Sequence, residues 1–527
     1  MSVTSLLQEV AARPLVRRAA DLVLGRYARR RVARLDRSPL VQTQHDTLRT
    51  LVRHARHTRF GRDHDFDRIR TVADYQRRVP LRDYESFWKD YWQPAFPTLI
   101  DVTWPDLIPY FALSSGTTTG STKYIPVSRA MVASNRKAAL TTLALFLAVH
   151  PGTPLFTGRI FFLGGSTDLT ELADGVRAGD LSGIAAVEVA AVLRPYTFPP
   201  LELALLRDWE KKLQLLAEQS ACLPITVVSG VPSWLLTLFE RLMEVTGRGR
   251  IADIWPTLRL VIHGGTRFDP YRTLFRRLMG SDVVRFLETY PASEGFLAAE
   301  DPRYGLLRLL PDHGIFFEFV PVEDLGKDRP ARHTVAELEP GVSYAVALTT
   351  CAGLWSYVLG DTVCFERRDP PLLRFTGRTR YFLSAFGEHL ISEEVERAVA
   401  AAAAATGAEV VDFHVGPLFP ERMGEPGRHL YLVEFVRPPA DLDRFTAELD
   451  AALVRLNADY AAHRAGDLTL RVPEVRCVRR GGFAAWLKAK GKLGGQHKLP
   501  RMDNTGTLTQ ELCRWLQVGN DSAQEKS

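Results

Sequence analysis

The chain contains no run of about eighteen uninterrupted apolar residues, so no ordinary membrane-spanning helix is written into it. Cysteine is scarce. Cys222, Cys351, Cys364, Cys477 and Cys513 are scattered, odd in number and without CxxC spacing, which predicts a reducing, cytoplasmic setting rather than a disulfide framework. A Walker loop is missing too: three residues, not four, separate Gly116 from Gly120, and Lys123 comes three residues after the second glycine. A P-loop NTPase is therefore disfavoured. The opening segment is not expected to be a secretory signal, because Arg13, Arg17, Arg18 and Arg26 interrupt its apolar residues. Basic and aromatic residues form no recurrent stripe, so nucleic-acid binding is not predicted.

What is present fits a large globular protein. The 527 residues are 46% hydrophobic and 24% charged, enough for two to four domains with sizeable cores. The net charge of +6 is modest but uneven: Met1 to Arg37 holds nine arginines against three acids. Such a basic amphipathic segment is predicted to be a solvated terminal helix, contact with a membrane surface being its less frequent use.

The most informative stretch is LSSGTTTGSTKYIPVS, Leu113 to Ser128. Ser114, Ser115, Gly116, Thr117 and Thr118 combine hydroxyl donors with flexible backbone and free N–H groups, and Lys123 adds a positive charge; such a loop can wrap a polyphosphate. The same composition also describes a flexible surface turn. LIPYFAL before it and YIPV after it read as strands, so the loop is expected to close a hairpin.

Along the rest of the chain, helix and strand patterns alternate. Gln44 to Thr58 has apolar residues three and four apart, Val72 to Trp92 reads as helix, Pro break, helix, and Arg129 to Val149 is a long Ala/Leu-rich helix. GRIFFLGG, PITVVS, LRLVIH and VVRFL read as strands. Leu205 to Gln219, Pro232 to Val245 and Tyr271 to Met279 read as helices between them. This alternation predicts an α/β fold with a mostly parallel sheet covered by helices on both faces, its ligands gathered at the carboxyl ends of the strands. Gly264 and Gly265 follow one such strand, and Tyr290, Ser293 and Glu294 follow another. GIFFEFVPV and VSYAVALTT then read as hairpin strands, with Gly360 and Asp361 in a turn between strands.

From about Gly387 the pattern changes to helix (Glu393 to Ala405), two strands (Val410 to Val415, His429 to Val436), helix (Leu442 to His463) and strand (Leu468 to Val475). The expected organisation is a basic helical segment over 1–36, a large domain over 37–380, a hinge over 381–388 and a smaller α+β domain over 389–527.

In this order the landmarks SSGTTTGSTKYIP, GVPSW, HGG, YPASEG, YVLGD, FTGR and GQHKLPR resemble the adenylate-forming enzymes. The nearest resemblance is to the bacterial branch of the auxin-responsive Gretchen Hagen family of acyl acid amido synthetases, and it covers nearly the whole chain. It implies a large N-terminal domain of helix-flanked sheets with a β-barrel-like part, and a mobile C-terminal lid. The implied reaction uses ATP and Mg²⁺: a carboxylate attacks the α-phosphate, pyrophosphate leaves, and an amine such as an amino acid captures the acyl-AMP.

The resemblance also assigns roles. Ser114, Ser115, Gly116, Thr117 and Thr118 would hold the phosphates, and Glu294 would be the Mg²⁺ ligand, since a carboxylate beside triphosphate is repelled without a metal between them. Tyr290 would stack on adenine beside the backbone of Gly264 and Gly265, next to Ser293. Asp361 would accept the ribose hydroxyls. Lys498 would swing over the phosphates, and Arg378 would contact the ribose or brace the hinge. His263 and His313 are expected to be packing residues.

Two positions depart from the pattern. Val358 stands where the family has arginine after its tyrosine, and His497 stands where plant members have tyrosine. An acyl-CoA synthetase-like transfer to a thiol shares all chemistry up to acyl-AMP, and a non-catalytic nucleotide-binding scaffold would share the fold.

Overall fold

A computed structural model describes residues 3–115, 122–164, 169–206, 208–265, 268–325, 327, 329–378, 382–383, 388, 390–419, 427–464, 470–491 and 499–517. Two compact units result: Met1–Thr266 with Leu278–Phe375, and Arg267–Arg277 with Thr376–Ser527.

The first unit contains a four-stranded sheet and an eleven-stranded one. Strands β1 (Tyr110–Ser115) and β2 (Thr122–Val127) form the expected antiparallel hairpin. With β4 (Thr170–Ala173) and β5 (Val176–Gly179) they make the small sheet, in the order β2-β1-β5-β4. In the large sheet, β3 (Arg159–Phe162), β6 (Thr197–Phe198), β7 (Ile225–Gly230), β8 (Leu260–Gly264) and β9 (Arg285–Ala292) are parallel neighbours. The first four residues of β7, Ile-Thr-Val-Val, are all buried, the pattern of a strand covered on both faces. Its crossover helix Pro232–Thr246 starts on proline and ends at Gly247 with φ 67°, the left-handed stop that favours glycine.

The sheet is less parallel than the alternation predicts. β10 (Gly295–Asp301), β11 (Leu306–Leu309), β12 (Ile315–Pro321), β13 (Ser343–Thr350), β14 (Tyr357–Arg367) and β15 (Leu372–Arg378) continue it past β9, giving the order β12-β13-β14-β15-β11-β10-β9-β8-β7-β3-β6. The pairs β9·β10, β10·β11, β11·β15, β12·β13 and β13·β14 are antiparallel. Residues of β9 to β15 share one core, including Tyr290, Leu297, Phe317, Tyr344, Val363 and Leu373. This part of the sheet therefore curls on itself, the barrel-like feature of the fold.

The basic N-terminal segment is not simply solvated. Helix Pro14–Arg37 buries Leu24, Ala28, Val32 and Leu35 in a core shared with Leu143 to Leu147 of the long helix Arg129–Val149. Two arginines are turned inward. Arg17 donates to the carbonyls of Phe156, Gly158 and Pro195, and Arg31 makes a two-pronged pair with Asp312 at 2.6 and 2.7 Å. Sequence periodicity hides this because the inward face is itself partly basic.

Burial would raise the Asp312 carboxyl, but the hydrogen bonds and charge of Arg31 and of Lys137 outweigh it and hold its pKa at about 2, below the ordinary 3.8. The unfolded chain thus takes up this proton first as the pH falls. Asp312 stabilises fully above pH about 4 and the contribution is lost as the pH drops through about 2. We expect Asp312→Asn to cost ~2 kcal/mol at neutral pH, shrinking towards zero by pH ~2, in denaturant titrations across that window.

In the second unit, β18 (Glu409–Leu418), β19 (Arg428–Arg437) and β20 (Glu474–Val478) form a sheet after the short pair β16 (Phe382–Leu383) and β17 (Leu390–Ile391). Helices Ser392–Thr406 and Leu442–Leu456 share one core with it, and Gly482–Ala489 and Thr507–Leu516 share a second. The last strand begins later than expected, at Glu474, because Pro473 has no N–H to give a ladder. The helix expected over Leu442 to His463 breaks at Asn457. Helix Asp269–Met279 belongs here through most of its length: Tyr271 is fully buried and accepts from Arg501, and Arg277 pairs with Glu409. Among the described residues, no helix is long and apolar enough to cross a membrane.

Candidate active site

The parallel strands β7, β8 and β9 deliver their carboxyl ends to one side of the sheet, where the polar residues collect. Strand β8 ends at His263-Gly264. A side chain at Gly264 would lie 2.6 Å from the Thr289 carbonyl and 2.8 Å from its hydroxyl, which itself donates to the His263 carbonyl at 3.0 Å. Close packing of β8 on β9 thus explains this glycine. Gly265 follows with φ 81°, an exposed left-handed position.

Strand β9 turns into β10 through Ser293 and Glu294. Glu294 is only 9% exposed, and its Oε1 accepts a hydrogen bond from the Tyr357 hydroxyl at 3.2 Å. Burial, then the Glu294 charge, pushes the Tyr357 phenol well above its usual range, so it stays a donor at any physiological pH. Gly295 packs closely on Ile315: a Cβ there would meet Ile315 Cδ1 at 2.6 Å, so that side chain would have to move aside.

Tyr290, near the end of β9, donates to Asp361 Oδ2 at 2.7 Å, with its ring against Phe375 at 5.5 Å and 73°. Strands β9 and β14 are four steps apart in ladder order, about 19 Å in a flat sheet. Only the curl lets them touch. Asp361 does not sit in a turn between strands as the sequence suggests. It lies inside β14 at a bulge, where register shifts from Ala347↔Val358 to Ala345↔Thr362 and Gly360 adopts φ 84°. Residues 359–361 are thereby extruded from the ladder, which re-aims the carboxylate.

Ser114 pairs with Lys123 in the hairpin, and the Lys123 ammonium lies over the Tyr84 ring, 5.1 Å from its centroid. Gly116, Thr117, Thr118 and Lys498 lie outside the described residues, as do the side chains of Ser115 and Arg378. Arg378 is the last residue of β15. The residues just after Lys498 are described. His414 bonds the Pro500 carbonyl at 2.6 Å, Val415 brackets Arg501 and Asp503 by backbone bonds, and the partly buried Arg501 reaches Glu396, Asp412 and Tyr271.

His313 is a packing residue: it bonds the Phe296 carbonyl, and burial lowers its pKa to about 4, so it is neutral. Sequence reasoning missed Tyr357, since a tyrosine opening an apolar strand carries no signal of the carboxylate that it meets. It also missed the tether between Tyr290 and Asp361.

The arrangement is that of the adenylate-forming fold. The AtGH3.15 acyl acid amido synthetase in complex with 2,4-DB superposes with a TM-score of 0.75 at 17% identity, covering 93% of this chain and 96% of that one. A 2-hydroxyisobutyryl-CoA ligase follows with 0.61 at 14%, covering 92% and 94%. Sequence models of the GH3 family N-terminal, central and C-terminal domains match residues 33–216, 308–378 and 393–507, together well over half of the chain. The chain belongs to the GH3 family. Similar relatives are the jasmonoyl–L-amino acid synthetase GH3.5 of Oryza sativa subsp. japonica, 29% identical over 49% of this chain and 47% of that protein, and the indole-3-acetic acid-amido synthetase GH3.8 of Oryza sativa subsp. indica, 30% identical over 48% and 45%. The chain spans about half the length of the curated relatives it matches.

Proposed function

We propose that the protein is an ATP-dependent acyl acid amido synthetase. A carboxylate oxygen attacks the α-phosphorus of ATP, the bond to the β-phosphate bridge breaks, and pyrophosphate leaves. An amine nitrogen then attacks the acyl carbon, losing its proton, and AMP departs. The observation that carries this reading is the pair of buried carboxylates, Glu294 just past the end of β9 and Asp361 at the β14 bulge, each fastened by a tyrosine hydroxyl, with Tyr290 at the carboxyl end of β9 joining the second of them to the strand ends.

The donor set fits Mg²⁺. Among the described residues no cluster of three or more His, Cys, Asp or Glu could cage a metal, whereas Mg²⁺ needs one or two carboxylates and takes its remaining ligands from water and phosphate. Glu294 would hold it, and the ion when bound would neutralise phosphate charge. Ser114, Ser115 and the loop Gly116 to Thr118 would donate to the phosphates. Tyr290 has two uses, its ring against adenine and its hydroxyl on Asp361. Asp361 would present Oδ1 to the ribose, while Oδ2 serves the tyrosine. The C-terminal domain would act as a lid bringing Lys498, with Arg378 at its hinge. His497 and Val358 set the chain apart from the plant substrates, the bacterial branch remains the resemblance's reading, and a cytoplasmic setting suits the five free cysteines.

ATP–pyrophosphate exchange over aryl, indolyl and fatty acids tests the first half-reaction, and AMP release with amino acids against coenzyme A tests the second. Release dependent on coenzyme A alone would replace the amide reading with thioester formation. ATP binding without exchange for any acid would leave a scaffold. We further expect Tyr290→Phe to raise the KM for ATP about tenfold, with kcat changed far less, since a hydrogen bond to a charged group contributes ~1.5–3 kcal/mol. An unchanged KM would separate Asp361 from nucleotide binding.

A further inference from the structure

Helix Pro14–Arg37 has an outward face that neither the site nor the core uses. The inward face is fixed by Leu24, Ala28, Val32 and Leu35, so the opposite side must face solvent. On that side Leu15, Leu22 and Val23 are 78%, 68% and 62% exposed, and Arg18, Arg26, Arg29 and Arg30 lie among and beyond them, all exposed. Helical spacing of three and four puts Leu15, Arg18, Leu22, Arg26 and Arg29 in one stripe.

Among the described residues, no carboxylate pairs with Arg18, Arg26, Arg29 or Arg30. The two acids of the helix are spent elsewhere: Asp21 accepts the amides of Leu155, Phe156 and Thr157, and Asp36 pairs with Arg303 and Arg308. More exposed apolar residues lie near the helix, whose Arg17 donates to the Pro195 carbonyl. Gln8, on helix Val3–Ala12, donates to the Ala191 carbonyl, and the turn it touches exposes Val192 and Leu193 next to exposed Arg194. The family's N-terminal domain match begins only at residue 33, so nearly all of this face precedes it.

We propose that this face docks the protein peripherally on an anionic lipid surface. A rigid 24-residue helix, about 36 Å long, can lie flat on such a surface with its leucines in the headgroup layer and its arginines on the phosphates. The charge selects the occupant. A second copy would bring arginines against arginines, and a nucleic acid would leave the large aliphatic side chains without use. Each basic residue near an anionic surface multiplies partitioning several-fold, and salt screens the effect.

The test is co-sedimentation of the full chain with vesicles of phosphatidylcholine alone and of equal parts phosphatidylcholine and phosphatidylglycerol. We expect partitioning at least about tenfold stronger on the anionic vesicles, most of it lost in half-molar salt. The triple variant Arg26→Glu, Arg29→Glu, Arg30→Glu should abolish it, and Leu22→Ser should weaken it several-fold. Equal partitioning on both vesicles, or anionic binding that salt leaves intact, overturns the proposal without recourse to any variant, so a misfolded triple variant does not shield it. Undiminished binding by a folded triple variant also overturns it. So does the absence of vesicle binding together with retention of mixed-sequence duplex DNA, or with a doubling of mass in solution that the triple variant removes.

Discussion

Replacing Glu294 by alanine is expected to lower ATP–pyrophosphate exchange by at least about a thousandfold, to background for most assays. The carboxylate sits nearly buried in the β9–β10 turn, where a charge is costly unless an opposite charge or strong donors compensate it. Tyr357 supplies one donor. With substrate present, a metal ion held by Glu294 would offset the charge of the triphosphate, and without that ion the carboxylate would repel the substrate. Two further variants separate charge from shape. Glu294→Gln keeps the volume and a hydrogen-bond acceptor for Tyr357 but removes the charge, so it should be nearly as inactive as alanine. Tyr357→Phe leaves the charge and loses one positioning bond, so a drop of roughly tenfold is expected. Glu294→Asp should retain measurable exchange with a raised Mg²⁺ requirement. Near-normal exchange by Glu294→Gln would remove this residue as the metal ligand and leave the burial of its charge without a catalytic reason.

Much of this site is legible in the sequence as a list of residues and little of it as geometry. The glycine turns, the strand ends and the order of motifs are local signals, and the α/β alternation follows from apolar periodicity and from stops such as Gly247. The bulge at Gly360 is not local. In sequence, Gly-Asp between two apolar runs reads as a turn, yet β13 is long enough to pair on both sides of it, so the strand continues and extrudes the carboxylate. The meeting of Tyr290 with Asp361 depends on the curl of the sheet, a property of seven strands together. Helix Asp269–Met279 shows the same limit. Its amphipathic pattern announces that one face is buried, but the residues that bury it, Arg501 and Glu409, come more than 130 positions later. Arginine misleads in the opposite direction at the N-terminus, where Arg17 and Arg31 point inward and disguise a packed helix as a solvated one.

The second large effect concerns stability. Glu318 is fully buried in β12, a lone acid in the apolar run FFEFV, and Arg332 clasps it with Nε on Oε1 at 2.9 Å and Nη2 on Oε2 at 3.0 Å. The guanidinium also donates to the carbonyls of Gln76 and Val79 and to the Ser356 hydroxyl, while Ser356 donates to Glu318 at 2.7 Å and Gln76 to the same carboxylate at 3.0 Å. Ser356 has φ 45°, an uncommon conformation for a residue with a side chain, and it stands immediately before Tyr357. The pair thus ties the segment ending at Val79 to the start of β14 and holds the tyrosine that reaches Glu294. Removing one partner strands a buried charge. Glu318→Ala and Arg332→Met should each destabilise by ~3–5 kcal/mol in urea titrations, whereas Glu318→Leu combined with Arg332→Met should cost clearly less than the sum of the single changes. A stability measurement alone would not distinguish this network from any other buried pair, so exchange activity is measured well below the transition. There Ser356→Gly, which relieves the left-handed residue but removes the hydroxyl, should lose activity at nearly unchanged stability if the network's task is to aim Tyr357. Full activity in that variant would make the network a matter of folding only.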